Sequence, residues 1–235
     1  MNEKDHKPAT IAAQAAGAVE AQSGGVVPGI SLATTYLRDA DYGLMRPDNV
    51  YGRDQNDTVR QAEEVVRALE GAAASLLFPS GMAAIAAVFR ALPSGARVVM
   101  QNGIYWGTLK WVRDYCVRRA IILDEIDAAD PGALAEACRS SADMVWIETP
   151  SNPWLKTVDI AAAAGMAHKA GAVLVVDGTA ATPVLTRALL RAFPSASVVD
   201  VGELISQVGT ILEQIALAIL VAAAVAVLAG FAVLI

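Results

Sequence analysis

The most chemically pointed feature of this 235-residue sequence is a carboxylate at the end of an aliphatic run. Asp177 closes Ala172-Val173-Leu174-Val175-Val176 and is followed at once by Gly178-Thr179, with Pro183 close behind. Aliphatic and β-branched residues running into turn signals predict a buried strand. In open α/β sheets, ligands bind just past the carboxyl ends of parallel strands, so the strand delivers Asp177 where such folds do their chemistry. A second pattern, Phe78-Pro79-Ser80-Gly81-Met82 followed by the small-residue run from Ala83 to Leu92, predicts a tight turn into a helix. The free N–H groups of a first helical turn, with the Ser80 hydroxyl and a glycine permitting close approach, form an anion site. Tyr105, Glu148 and Asn152 stand at or just past other apolar runs, and Tyr51-Gly52-Arg53 lies in a polar stretch. Taken singly, each also fits a plainer role: Ser-Gly as turn geometry, Tyr105 as a core aromatic, Asp177 as a turn or capping carboxylate.

Such residues need elements to hold them. Residues 1–35, rich in Ala, Gly and Ser with Pro8 and Pro28-Gly29, read as a mostly irregular arm of the kind that wraps a neighbouring subunit. A polar loop then feeds a helix in which Asn56 or Asp57 is the cap and Val59, Ala62, Val65, Val66 and Leu69 form one stripe. Glu63 and Arg67 are spaced to pair, and Gly71 ends the helix. Strands are predicted over 74–78, 97–100, 120–123, 143–148 and 172–177, and helices over 83–92, 105–116, 131–138 (capped by Asp130) and 160–169. Strands alternating with helices give an α/β fold with a doubly wound, mostly parallel sheet, and Ser80, Tyr105, Glu148, Asn152 and Asp177 converge on one crevice.

The bulk composition narrows the function classes. A net charge of −6 with scattered Lys and Arg gives no electrostatic footprint for nucleic acid. Cys116 and Cys138 have neither metal nor redox spacing and read as buried thiols of a reduced compartment. The histidines, His6 and His168, lack partners at ligand spacing and read as surface residues, so no metal site is expected. The N-terminus carries both charge signs and does not have the form of a signal peptide.

Five strings occur together in one order: Tyr51-Gly52-Arg53 with Asn56, Phe78-Pro79-Ser80-Gly81-Met82, Tyr105-Trp106-Gly107-Thr108, Glu148-Thr149-Pro150-Ser151-Asn152-Pro153, and Val176-Asp177-Gly178-Thr179 running on to Thr182-Pro183-Val184-Leu185. In this the chain resembles, over about residues 25–189, the Cys/Met-metabolism enzymes, relatives of cystathionine γ-synthase, γ-lyase and β-lyase. The resemblance implies a pyridoxal 5′-phosphate cofactor, the fold type I (aspartate-aminotransferase-like) large domain, trans-sulfuration of a sulfur amino acid, a homodimer or tetramer, and a cytoplasmic setting. It assigns the cofactor phosphate to Ser80, Gly81 and Met82, and to Tyr51 and Arg53 of a neighbouring subunit. Tyr105 stacks on the pyridine ring, Asp177 pairs with the ring nitrogen, Asn152 lies near the ring hydroxyl, and Thr179 belongs to the same binding set. Glu148 is a supporting residue.

The sequence also departs from that pattern. Gly178, Ala180 and Asp57 replace an Asn, an aromatic and a Pro usual in the family, and these are tolerable changes. The larger departure is that no lysine follows Lys169, so the lysine that forms the family's Schiff base has no counterpart one strand beyond Asp177 and no catalytic residue is identifiable. The expected organisation is an arm at 1–35, a truncated cofactor-binding domain at 36–190 whose sheet ends on an unpaired edge after Asp177, and an unrelated apolar tail at 191–235. Residues 215–235 carry no charge and are long enough to span a bilayer as a helix. The tail resembles a permease subunit of an ABC-type exporter, which suggests a chimera or truncation, membrane association through 215–235, and two further readings: a permease fragment or a cofactor-binding pseudoenzyme.

Overall fold

A computed structural model describes residues 7–20 and 22–182, together with the backbone of 196–199. Helix α1 (Pro8–Ala13) and a 3-10 turn (Ala15–Gly17) lead through a long irregular stretch to α2 (Asp57–Glu70). There follow α3 (Gly81–Arg90), β1 (Arg97–Gln101), α4 (Trp106–Arg119), β2 (Ile122–Ile126), α5 (Pro131–Ala137), β3 (Met144–Glu148), α6 (Ile160–Lys169), β4 (Val173–Asp177) and β5 (Ala196–Val199). The strands form one parallel sheet in the order β2-β1-β3-β4-β5.

Local chemistry accounts for the helix ends. Asn56, not Asp57, caps α2 by accepting the Thr58 N–H, and Gly71 stops it in the left-handed region at φ 65°. Ser80, Asp130 and Asp159 cap α3, α5 and α6 through their side-chain oxygens, and Pro131 opens α5 where a missing N–H costs nothing.

Both faces of β1, β3 and β4 are covered, which is why these strands are nearly continuous apolar runs. Side chains alternate. Val98, Met100, Met144, Trp146 and Val175 face α3 and α4, packing with Phe89, Val112 and Cys116. Val99, Val145, Ile147, Leu174 and Val176 face α5 and α6, packing with Leu134, Ile160 and Ala164. Phe89 sits 5.4 Å from Trp146 and 6.1 Å from Trp111 between ring centroids. Both cysteines are free and buried, as expected, and burial pushes the Cys116 thiol up to about 11.

Four sequence expectations are corrected. Residues 74–78 form no strand: Ser75 Oγ donates to the Glu63 carbonyl at 2.7 Å and the Leu77 N–H to Glu63 Oε1 at 2.9 Å, so α2 takes bonds that a ladder would otherwise supply. That contact also removes Glu63 from its expected pairing, and Arg67 pairs with Glu64 instead. The strand expected at 120–123 begins at Ile122 because Ala120 takes the left-handed C-cap of α4 at φ 53°. The edge of β4 is not open, since β5 pairs with it in parallel from Leu174↔Ala196 to Asp177↔Val199.

The N-terminal arm is more ordered than its composition suggests. Ile11 of α1 is buried, the Ala15 carbonyl accepts from Gln61 Nε2 at 2.9 Å, and Ser31 is bonded to both Asn56 and Thr58 of the same chain. Apart from β5, the tail at 191–235, including the span expected at 215–235, lies outside the described residues. Among the described residues no helix is long and apolar enough to cross a membrane.

The packing predicts a contrast measurable by urea denaturation. Phe89→Ala, at a fully buried site, is expected to cost about 3–5 kcal/mol. Val117→Ala, on the exposed side of α4, should change stability by less than about 0.5 kcal/mol.

Candidate functional site

Two carboxylates share the end of the sheet. Glu148 closes β3 and Asp177 closes β4, and the parallel register sets them directly opposite each other. By alternation Glu148 follows Met144 and Trp146, and Asp177 follows Val175, so both belong to the face covered by α3 and α4. They are 3% and 4% exposed. Among the described residues no Lys or Arg is hydrogen-bonded to or paired with either.

Their partners are backbone and hydroxyl groups. Glu148 Oε2 accepts the Tyr105 N–H at 3.2 Å, and Oε1 accepts the Asn152 N–H at 2.6 Å. One carboxylate therefore joins the loop after β1 to the loop after β3. Asp177 Oδ1 accepts from both the N–H (3.1 Å) and the hydroxyl (2.5 Å) of Thr179, which fixes the carboxylate in its own turn and leaves Oδ2 for another donor. Tyr105 precedes α4 and is 38% exposed, so it is not a core aromatic. Asn152 is exposed at the rim, in a loop closed by the Ser151 and Lys156 backbone contact at 2.9 Å and tied to Asp127 through the Lys156 ammonium at 2.5 Å.

Ser80 stands at the N-terminus of α3 as its cap. Ala83 and Ala84 turn their N–H groups back onto Ser80, and the N–H groups of Gly81 and Met82 remain for an incoming anion at the start of α3. Thr108, fully buried on α4, reaches Met82 Sδ at 3.9 Å, which ties this turn to the helix that Tyr105 begins. The structure thus links Ser80, Gly81, Met82, Tyr105, Glu148, Asn152, Asp177 and Thr179 through adjoining elements.

Tyr51 and Arg53 stand apart. Arg53 Nη2 donates to Tyr51 Oη at 3.2 Å and the guanidinium lies 5.2 Å from the ring centroid, on a turn held by the Thr35–Tyr51 bridge. Neither hydrogen-bonds to the other candidate residues. A hollow of about 600 Å³ also lies elsewhere, among Glu20, Pro28, Arg46, Asp57, Arg60 and Gln61. It has no share in the strand-end chemistry; Arg60 and Arg46 bind Asp57 and hold its carboxyl below the usual range, and Glu20 accepts the Gln22 and Gly29 N–H groups.

Sequence reasoning missed Gln101. Fully buried at the end of β1, it accepts the Glu148 N–H on Oε1 at 2.9 Å, while its Nε2 has no partner among the described residues. A polar residue ending the run Arg97-Val98-Val99-Met100 was the available signal.

Burial dominates the electrostatics. It pushes Glu148 up to about 7, against the two backbone N–H bonds that favour its anion, and nearby Asp177 adds to the rise. Asp177 is also raised by burial, opposed by the Thr179 hydroxyl and N–H. Both groups bind protons in the folded chain at pH values where the unfolded chain has released them.

A family profile described as Cys/Met metabolism PLP-dependent enzyme matches residues 9–193, beginning earlier than the five strings alone suggest. Cystathionine gamma-lyase of Dictyostelium discoideum is 33% identical over 179 residues, 76% of this chain and 46% of the relative. O-succinylhomoserine sulfhydrylase of Pseudomonas aeruginosa is 40% identical over 144 residues, 61% of this chain and 36% of the relative. Among solved structures, metB from Corynebacterium glutamicum superimposes with a TM-score of 0.72 at 30% identity, covering 78% of this chain and 48% of that one. Cystathionine gamma synthase from Xanthomonas oryzae pv. oryzae, solved with aminoacrylate and cysteine, gives 0.71 at 32% identity, covering 76% and 46%. The chain spans less than half the length of each of these proteins.

The raised carboxyls predict a pH dependence of stability. Between about 4.5 and 7 the folded chain holds more protons than the unfolded one, so stability falls as pH rises. The lowered groups Asp57, Glu125 and Asp127 lose their contribution only at more acidic pH and do not oppose this trend. Urea unfolding at pH 5 and pH 7.5 should show a loss on the order of 2 kcal/mol at the higher pH. A flat profile would contradict the assignment of these buried acids.

Proposed function

Because the chain belongs to the Cys/Met-metabolism family of PLP-dependent enzymes, we propose that its strand-end site binds pyridoxal 5′-phosphate and serves trans-sulfuration chemistry. The reaction is C–S cleavage or γ-replacement on a cystathionine-type amino acid. The single observation that carries this reading is Asp177: a buried carboxylate, oriented by Thr179 on one oxygen, with the other available to a ring N–H. When bound, the cofactor supplies an electron sink for negative charge developing on the substrate carbon.

The residues present suit that group. Backbone N–H groups of Gly81 and Met82, with the Ser80 hydroxyl, suit a phosphate dianion. The half-exposed Tyr105 ring offers an apolar face to a flat heterocycle, and Asn152 offers an amide beside it. Asp177 holds a proton on the ring nitrogen, and burial strengthens that pairing by excluding water. Tyr51 and Arg53, which stand apart from the site within one chain, meet the phosphate of a second copy, so the working form is a cytoplasmic homodimer or tetramer.

A second reading is favoured by one observation: no lysine follows Lys169. On that reading the chain holds the cofactor without a covalent bond and acts as a pseudoenzyme.

Two measurements test these proposals. Asp177→Asn should weaken pyridoxal phosphate binding about 10- to 100-fold in equilibrium dialysis, and unchanged affinity would overturn the assignment of Asp177. Borohydride treatment of the loaded protein followed by peptide mass analysis should leave every lysine unlabelled if binding is non-covalent; a pyridoxyl-lysine would reject the pseudoenzyme reading and identify the catalytic residue.

A further inference from the structure

Glu148 is buried, has no basic partner among the described residues, and accepts backbone N–H groups from two loops separated by more than 40 residues. Its own N–H is bonded by the buried Gln101 on β1, and Asp177 lies opposite it on β4. We propose that Glu148 is a positioning residue whose carboxylate locks the loops of Tyr105 and Asn152 into one frame around the bound ring. The proposal rests on the reading of the site as a cofactor site, but the lock itself belongs to this chain's own residues.

The chemistry of the side chain decides the role. The two N–H groups come from different loops and are accepted on the two different oxygens of one carboxylate. A glutamine of the same shape offers one oxygen and turns an N–H donor toward the other amide, so it holds one loop and repels the second. An aspartate, one methylene shorter, reaches neither loop from the same strand position. The groups facing Glu148 are the Asp177 carboxylate from β4, the Gln101 amide from β1, and the N–H groups of Tyr105 and Asn152. Protonation converts one of its oxygens from acceptor to donor, which weakens the lock, and the rise of its pKa to about 7 puts that change in an accessible range. A cationic ring bound at Asp177 favours the ionised form and so tightens the frame when the cofactor is in place.

The test is hydrogen exchange at the Tyr105 and Asn152 amides of the full chain without cofactor, corrected for intrinsic rates. In the wild type, protection at both amides, taken relative to core amides such as that of Val145 that follow the global fall in stability, should rise as pH increases from 6 to 8. In Glu148→Gln, with unchanged far-UV circular dichroism, protection at one or both amides should fall about tenfold or more and the pH dependence should vanish. Glu148→Asp should not restore it. Equal protection in wild type and Glu148→Gln overturns the proposal. Should the variant fail to fold, the wild-type profile decides alone: protection at the two amides that does not rise relative to the core amides between pH 6 and 8 rejects the lock. Equilibrium dialysis of the wild type with pyridoxal phosphate separates the two claims. No binding with the exchange result intact removes the cofactor reading and keeps the lock, while normal binding with unaltered exchange does the reverse.

Discussion

Two acids held out of water, side by side on adjacent strands, are the constraint on which the site depends. Isolated buried carboxylates are costly, and here the cost is offset by directed backbone and hydroxyl donors instead of a neighbouring cation. Glu148 draws on two loops, and Asp177 on its own turn. A compensating arginine or lysine would neutralise the pair permanently. Donors with no net charge leave the site able to attract a cationic group, which is the property a pyridinium-binding pocket requires.

The sheet makes this arrangement possible. Parallel register brings Glu148 and Asp177 level, and strict alternation puts both on the face of α3 and α4, where the phosphate-type turn and Tyr105 also arise. A one-residue slip of either strand would send its acid to the opposite face, among Ala and Leu side chains with no donor. The aromatic packing of Phe89 on Trp146 and Trp111 is therefore more than core filling, because it fixes the helix and the strand whose ends carry Ser80 and Glu148.

Much of this was legible in the sequence because local chemistry and tertiary demand agree. The helix at 160–169 was legible between its turn and the aliphatic strand after it, and Asn56 and Asp130 announced their helices as caps. The failures have a common cause, which is competition from partners distant in sequence. Residues 74–78 have strand composition, yet Glu63 and its carbonyl on α2 satisfy them instead. The strand at 196–199 is four residues long and adjoins an apolar tail, so its periodicity carried no signal, and only its pairing with β4 reveals it. The tie between Tyr105 and Asn152 through Glu148 crosses 43 and 4 residues, and no local pattern encodes which amides a carboxylate will find.

The charge distribution around the proposed phosphate argues for assembly. Among the described residues, the Ser80 turn offers a dianion backbone dipoles and a hydroxyl, since the assigned cation, Arg53, is engaged with Tyr51 on a separate exposed turn. Backbone donors at a helix start carry only about half a unit of positive charge, against nearly two negative charges on a phosphate. The Asp177 and Glu148 carboxyls on the same sheet end add negative potential whenever they ionise. The Tyr51–Arg53 turn has the chemistry to supply the missing charge in the proposed assembly: a guanidinium prearranged against a phenol, exposed, and free of any acidic partner among the described residues. In the assembly proposed above, a single chain would hold the ring through Asp177 and its supports, and a second copy would complete the grip on the phosphate.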